Sequence, residues 1–549
     1  MKKKSILLLF AILLSAVSGS ACTNFLVGKK ASADGSVFIS YSADSYGMSG
    51  FVAHFPAAVY PEGTMRDIYE WDSGRFLGCI PEASRTYNVL GNINEFQVSI
   101  AETTFGGREE LVDTTGVIDY GNLIYLALQR SRSAREAIDV MTSLVQEYGY
   151  YSSGESFSIA DPNEVWIMEM IGKGGKEKGA VWVAVRIPDD CISAHANQAR
   201  IRKFDMNDKD NVRYSKDVIK FARKMGYFDG KDADFDFAAA YCPADFGGLR
   251  YCDARVWSFF NMFGDEDMTK YLPWASGDAS AEPMPLYMKP KKPVTLQDMQ
   301  HGMRDHYEGT PFDVTTDLGA GPFCMPYRPS PLSFKVDGKE YFNERPISTF
   351  QTAFTFVAQL RSWLPDAIGG VMWFGTDDAN MVVFTPVYCC ATTVPDCYKE
   401  CYADPVVFSW KSSFWVFNWV SNMIYPKYSM VIEDMRSIQG ALEKRFYEQS
   451  KDVEAEALAV FGTSPKYAIR MLTDFTCNSA EETLTEWKAF GEKIIVKYND
   501  FVVKSEKNGK VERGSTGLVG RMSRPGYPEE YQKQVVRQTG ERYLIPQSK

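Results

Sequence analysis

Cys22 is the most informative residue in the sequence, and the residues ahead of it decide what its thiol can do. Lys2, Lys3 and Lys4 precede an apolar run from Ile6 to Val17, too short to span a bilayer. Gly19-Ser20-Ala21 then supplies the small residues after which a signal peptidase cuts. Cleavage there predicts an exported protein, periplasmic or extracellular, whose first residue is Cys22. That residue would hold a thiol and a free α-amine, with reference pKa values of about 8.5 and about 7.7–8.0. A nucleophile and a base would then share one residue, and export would also be activation. Two other readings compete: an ordinary cysteine, and a lipoprotein acceptor whose thiol is consumed by a diacylglyceryl group. Lipidation favours a leucine-like residue three positions ahead of the cysteine, where this chain has Gly19.

A cysteine nucleophile elsewhere would need a histidine, and the chain has four: His54, His195, His301 and His306. The local signatures of a papain-like pair are absent. His195 sits at a strand end, where a structural role is expected. Cys389, Cys390, Cys397 and Cys401 lie close together without two CxxC-type halves or a nearby histidine. They read as local disulfides or buried thiols rather than as a zinc site. The Gly- and Lys-rich stretch Gly172 to Gly179 falls between two strands, which makes it a hairpin loop and not a phosphate cradle.

These groups need a scaffold. Apolar runs at Thr23 to Gly28 and Val37 to Tyr41 flank the turn signal Asp34-Gly35, predicting a hairpin. Its register brings residue 22 opposite positions 43–47, a window that contains Asp44. A carboxylate there would hold the α-amine. Short strands are expected at Val89 to Asn92 and Val98 to Glu102, and one helix over Tyr120 to Tyr148 from its apolar face. Phe157 to Ala160 and Val165 to Met170 flank the turn Asp161-Pro162-Asn163-Glu164. Val181 to Ile187 and Cys191 to Ala194 predict a further pair around Pro188-Asp189-Asp190. Trp410 to about Ala459 and Pro465 to Val503 read as helices, and the charged residues beyond them as a loose appendage.

Size and composition narrow the function classes. The 549 residues are 45% hydrophobic and 14% aromatic, which fits a globular protein with a large core. The net charge is −10, and loss of the three leader lysines takes it to −13. An acidic chain without a Lys/Arg cluster is a poor fit to nucleic acid or anionic membranes. Phe414 to Tyr425 is the most apolar stretch after the leader and is too short to span a membrane.

The start CTNFLVGKKASADGSVFISYSADSY resembles the N-terminal-nucleophile (Ntn) dipeptidases, the group of the lactobacillus dipeptidase A and the secernins. The resemblance continues in NINEFQVSIAETT, DPNEVWIMEM, VWVAVRIPDDCISAHANQARI, HYEGTPFD and GGVMWFGTDDA, in order, over most of residues 22 to about 425. It implies an α+β fold, a four-layer αββα sandwich of two antiparallel sheets shared with penicillin V acylase and bile salt hydrolase. It further implies an Ntn domain over 22–425 and a mainly helical region over 426–549. By the same resemblance Asp44 orients the N-terminal amine, Asn197 helps form the oxyanion hole, and Arg255 lies near the nucleophile. The expected activity is cysteine-type hydrolysis of dipeptides, without metal or organic cofactor, by a homo-oligomer of unspecified size. An N-acyl amidase with the same nucleophile and a lipidated, non-enzymatic surface protein are the alternatives. One position departs from the pattern: relatives often carry Arg three residues before the aspartate, and this chain has Tyr41.

Overall fold

A computed structural model describes residues 22–175 and 177–546; the leader, 1–21, lies outside the described residues. The hairpin around Asp34-Gly35 forms from β1 (Asn24–Val27) and β2 (Val37–Asp44). Both strands are buried on both faces, the polar side chains of β2, Ser40, Tyr41, Ser42 and Asp44, included. Further along come β3 (Ser99–Gly106), α1 (Tyr120–Leu128), α2 (Ala134–Tyr148), β4 (Gly154–Ala160) and β5 (Val165–Gly172). Then follow β6 (Ala180–Ile187), β7 (Ile192–His195), α3 (Ala254–Phe263), α4 (Leu296–Met303) and β8 (Thr352–Leu360). The chain continues with β9 (Val371–Thr376), β10 (Thr385–Tyr388), α5 (Ser413–Ile424), α6 (Tyr428–Phe461) and α7 (Pro465–Tyr498).

Two antiparallel sheets organise these elements. One has seven strands, in the order Tyr287–Met288, β7, β1, β2, β8, β9, β10. The other has eight: Val212–Tyr214, β6, β5, β4, β3, then short strands at Ile93–Asn94, Val89–Leu90 and His54–Phe55. β1 and β2 of the first lie against β3 and β4 of the second. Helices α1 and α2 pack on the eight-stranded sheet around Leu126, Ile138, Trp166 and Met168. Helices α3 and α4 pack on β7, β2 and β8, and α5, α6 and α7 on β9 and β10. The apolar residues of α6 and α7, among them Phe446 and Trp487, join the same core as the seven-stranded sheet. No helix among the described residues is long and apolar enough to cross a membrane.

A polar seam crosses between the sheets. His195 on β7 bonds Thr103 Oγ1 on β3 through Nδ1 at 2.7 Å and Ser158 Oγ on β4 through Nε2 at 2.8 Å. This is the structural histidine the sequence predicts, with both ring nitrogens satisfied.

Three expectations are corrected. The single helix over Tyr120 to Tyr148 is two, because Ser133 caps α2 by accepting from the Glu136 N–H and starts a new helix. Val181 to Ile187 and Cys191 to Ala194 do not pair with each other. β6 belongs to the eight-stranded sheet and β7 to the seven-stranded one, so Pro188-Asp189-Asp190 carries the chain between sheets. The helix from Trp410 to Ala459 is interrupted at Tyr425-Pro426-Lys427, where proline removes a helix donor. The glycine-rich stretch does join antiparallel neighbours, β5 and β6. All eleven cysteines are unpaired, and Cys389, Cys390 and Cys397 are buried thiols.

Candidate active site

The β1–β2 register fixes the position of Cys22. Leu26 faces Ile39 and Thr23 bridges Ser42, which carries Cys22 to a place opposite Ala43, the residue before Asp44, and diagonal to Tyr41. The geometry thus falls at the near edge of the window read from the turn. Cys22 is only 3% exposed, yet it lines a cavity of about 570 Å³. Its Sγ lies 3.6 Å from both Tyr41 Oη and Glu102 Oε1. Tyr41 donates its hydroxyl to Glu102 Oε1 at 2.6 Å. Burial pushes the Cys22 thiol up, and the carboxyls of Glu102 and Asp44 push the same way; the Asp44 backbone N–H and Tyr41 pull it back. A thiol so placed is a poor nucleophile until a base takes its proton.

Arg255 is fully buried beneath Cys22. A π-helical turn, Gly248–Asp253, runs directly into α3 and brings Arg255 under β1. Its Nη1 donates to Cys22 O at 2.6 Å and Thr23 Oγ1 at 2.7 Å. Its Nη2 donates to Ala196 O at 3.0 Å and Asn197 Oδ1 at 2.9 Å, and its Nε to Tyr251 O at 2.8 Å. One rigid guanidinium fork therefore sets the Cys22 carbonyl and the Asn197 side chain relative to each other. Burial, with Arg345 nearby, lowers its pKa to about 10, so it stays charged at neutral pH.

Asn197 follows β7 in a left-handed conformation, φ 63°, which asparagine adopts more readily than most residues. Its Nδ2 donates to Thr104 O at 2.8 Å, leaving the second amide hydrogen uncommitted. Asn197 is not part of the cavity lining; Asn92 is, with Nδ2 on Ile100 O at 2.8 Å and likewise one hydrogen over. Asp44 lines the cavity as well. Its carboxylate binds Arg345 Nη2 at 2.5 Å and Thr352 Oγ1 at 2.6 Å. Burial raises the Asp44 pKa and those two partners oppose the rise.

The structure thus gathers Cys22, Asp44, Arg255 and Asn197 at one end of β1 and adds residues the sequence did not single out. Glu102 lay inside the motif NINEFQVSIAETT without a role assigned to it. Arg345 carries no sequence signal, since its partner Asp44 is 301 residues away. Asp72 and Asn92 are ordinary polar residues in sequence and become notable only as cavity walls. Among the described residues no group of three or more His, Cys, Asp or Glu could hold a metal ion.

Residues 21–441 match the sequence profile of peptidase family C69. The chain belongs to peptidase family C69. Relatives in the same comparison carry the name "probable dipeptidase". One, from Salmonella dublin, is 29% identical over 67% of this chain and 81% of its own length. One from Latilactobacillus sakei is 25% identical over 80% of this chain and 89% of its own. A "probable dipeptidase A" of Streptococcus pyogenes serotype M3 (strain SSI-1) is 26% identical over 80% and 90%. As a C69 peptidase, the protein is a peptide-bond hydrolase.

Proposed function

We propose that this C69 peptidase is an exported cysteine-type dipeptidase whose nucleophile, Cys22, becomes the first residue when residues 1–21 are removed. The observation that carries the reading is the Cys22 thiol opening on a cavity while Arg255 holds its carbonyl from below. The names of the relatives support dipeptides as substrates. The two sheets and their flanking helices support an αββα Ntn arrangement over 22–425, followed by a helical region over 426–549.

In the proposed mechanism the Cys22 α-amine takes the thiol proton and the thiolate attacks the scissile carbonyl. Asp44, pinned by Arg345 and Thr352, orients the amine. The remaining N–H of Asn197 donates to the oxyanion, a contribution on the order of 3 kcal/mol for such a donor. The leaving amino acid collects the proton, and water then hydrolyses the thioester. Intact mass and N-terminal sequencing of the exported protein test the first step. A free Cys22 amine is expected, and any other first residue, or a lipid on the thiol, ends the reading.

A further inference from the structure

The cavity wall carries charge of one sign. Asp44, Asp72, Glu102, Glu400 and Asp404 line it, and no Lys, Arg or His does. Of these five, only Asp44 has an ion-pair partner among the described residues. Aromatic rings, Trp71 and Tyr120 among them, make up much of the remaining wall. Asp44 and Glu102 are buried, and Asp72, Glu400 and Asp404 are exposed at the mouth. A buried anion left without a cation is costly, and the cost is offset when a ligand supplies the charge.

Glu102 occupies the decisive place. It is 3% exposed and lies 3.6 Å from the nucleophilic sulfur. Oε1 accepts from Tyr41 Oη at 2.6 Å and from the Cys22 thiol at 3.6 Å, so its second lone pair is released when the thiol gives up its proton. Glu155 sits diagonally across the β3–β4 ladder on the same face, since Glu102 pairs with Phe157 and Thr104 with Glu155. The Oε2 atoms of Glu102 and Glu155 receive no donor from any other described residue, which fits one proton shared between the two carboxyls. Burial raises the pKa of both carboxyls, and the Glu102 charge raises that of Glu155 further.

The distances match one part of a peptide. A scissile carbon in attack position lies about 3–3.5 Å from Sγ. The α-nitrogen of the same residue is about 2.5 Å from that carbon. An ammonium there comes within the roughly 2.8 Å of a charged hydrogen bond to Glu102 Oε1. We propose that Glu102 anchors the free α-ammonium of the substrate's first residue, so that the pocket reads the amino end of its substrate and not the carboxyl end. The second half follows from the same wall, which offers no cation to a C-terminal carboxylate. The proposal rests on the dipeptidase reading above and says which end of the dipeptide is recognised.

Steady-state kinetics of the mature protein test it with alanyl-phenylalanine, its N-acetyl form and its C-terminal amide. Acetylation should lower kcat/KM by about 100-fold or more, and amidation by less than about fivefold. This comparison needs no variant and so does not depend on one folding. Glu102→Gln should shrink the acetylation penalty to within about tenfold, chiefly by raising KM for the free dipeptide. Amidation costing more than acetylation overturns the proposal, as does an unchanged penalty in Glu102→Gln. An equal fall of kcat on both substrates with KM unchanged also overturns it, since Glu102 would then serve the enzyme's own amine or thiol. No turnover of any free dipeptide by the wild type sinks the dipeptidase reading, and this proposal with it.

Discussion

Two groups of acids in this peptidase contrast in what surrounds their carboxyls. Asp377 and Asp378, in the GGVMWFGTDDA stretch after β9, are saturated by neutral donors. Asp377 accepts from Asn418 Nδ2 at 2.8 Å and Ser421 Oγ at 2.6 Å. Asp378 accepts from Ser348 Oγ at 2.5 Å, the Asn380 N–H at 3.1 Å, Tyr425 Oη at 3.1 Å and Tyr327 Oη. The cluster ties the end of β9 to α5 and lines no described cavity. Around Cys22 the carboxyls of Asp72, Glu102, Glu400 and Asp404 have no ion partner and face a cavity. An acid pair saturated by buried donors stabilises the fold, while acids without a cation around a cavity leave negative charge for a ligand to meet. The contrast also shows that a recognisable sequence motif need not be chemical.

The largest effect should come from the nucleophile. Cys22→Ala should lower hydrolysis by at least about a thousandfold with the melting temperature nearly unchanged. Turnover near wild type in pure variant would move the chemistry elsewhere. Next is the oxyanion donor. Asn197→Ala should lower kcat by about 10²–10³ with little change in KM if its spare N–H serves the transition state. If Asn92→Ala shows that loss instead, the donor is the asparagine in the cavity wall.

Asp378→Ala should do the reverse of both. Leaving its donors unpaired should cost about 3 kcal/mol of stability, read by denaturant unfolding, while kcat of the folded fraction stays within about twofold. A fall in kcat without a loss of stability would erase the distinction between the clusters.

The smallest effect concerns the seam between the sheets. Burial and Arg200 lower the His195 pKa to about 3, whereas the unfolded chain binds that proton near pH 6.5. The unfolded state therefore holds more protons between those values, and acidification across this window favours unfolding. His195→Gln lacks that penalty but loses hydrogen-bond geometry. Its melting-temperature deficit at pH 7.5 should narrow at pH 5, where the wild type has lost up to about 2 kcal/mol. An equal deficit at both pH values would show that His195 is not held neutral by the fold.

The parts of the molecule governed by local rules were legible in the sequence. The Asp34-Gly35 turn set the β1–β2 register and with it the proximity of Cys22 to Asp44. Turn chemistry at Pro188-Asp189-Asp190 announced a reversal but not the partner, because β7 finds β1 across the sheet boundary. The apolar face of Tyr120 to Tyr148 continues across a break that only the Ser133 cap marks. In the site, Arg255 and Asn197 entered through family resemblance. Glu102 and Arg345 stayed hidden because their contacts span 80 and 301 residues, and no periodicity encodes such a distance.

Those long spans have a consequence in time. Cys22 is among the first residues described, but β2 is flanked on its far side by β8, whose Thr352 pairs with Asp44. Arg255 is made when nearly half of the chain is complete, and Arg345 and Thr352 only when nearly two-thirds is. Pairings of such sequence separation form late, because their loops must close before contact repays the entropy. A growing chain carries its Cys22 thiol early and the residues that surround it late, so synthesis itself delays completion of this pocket.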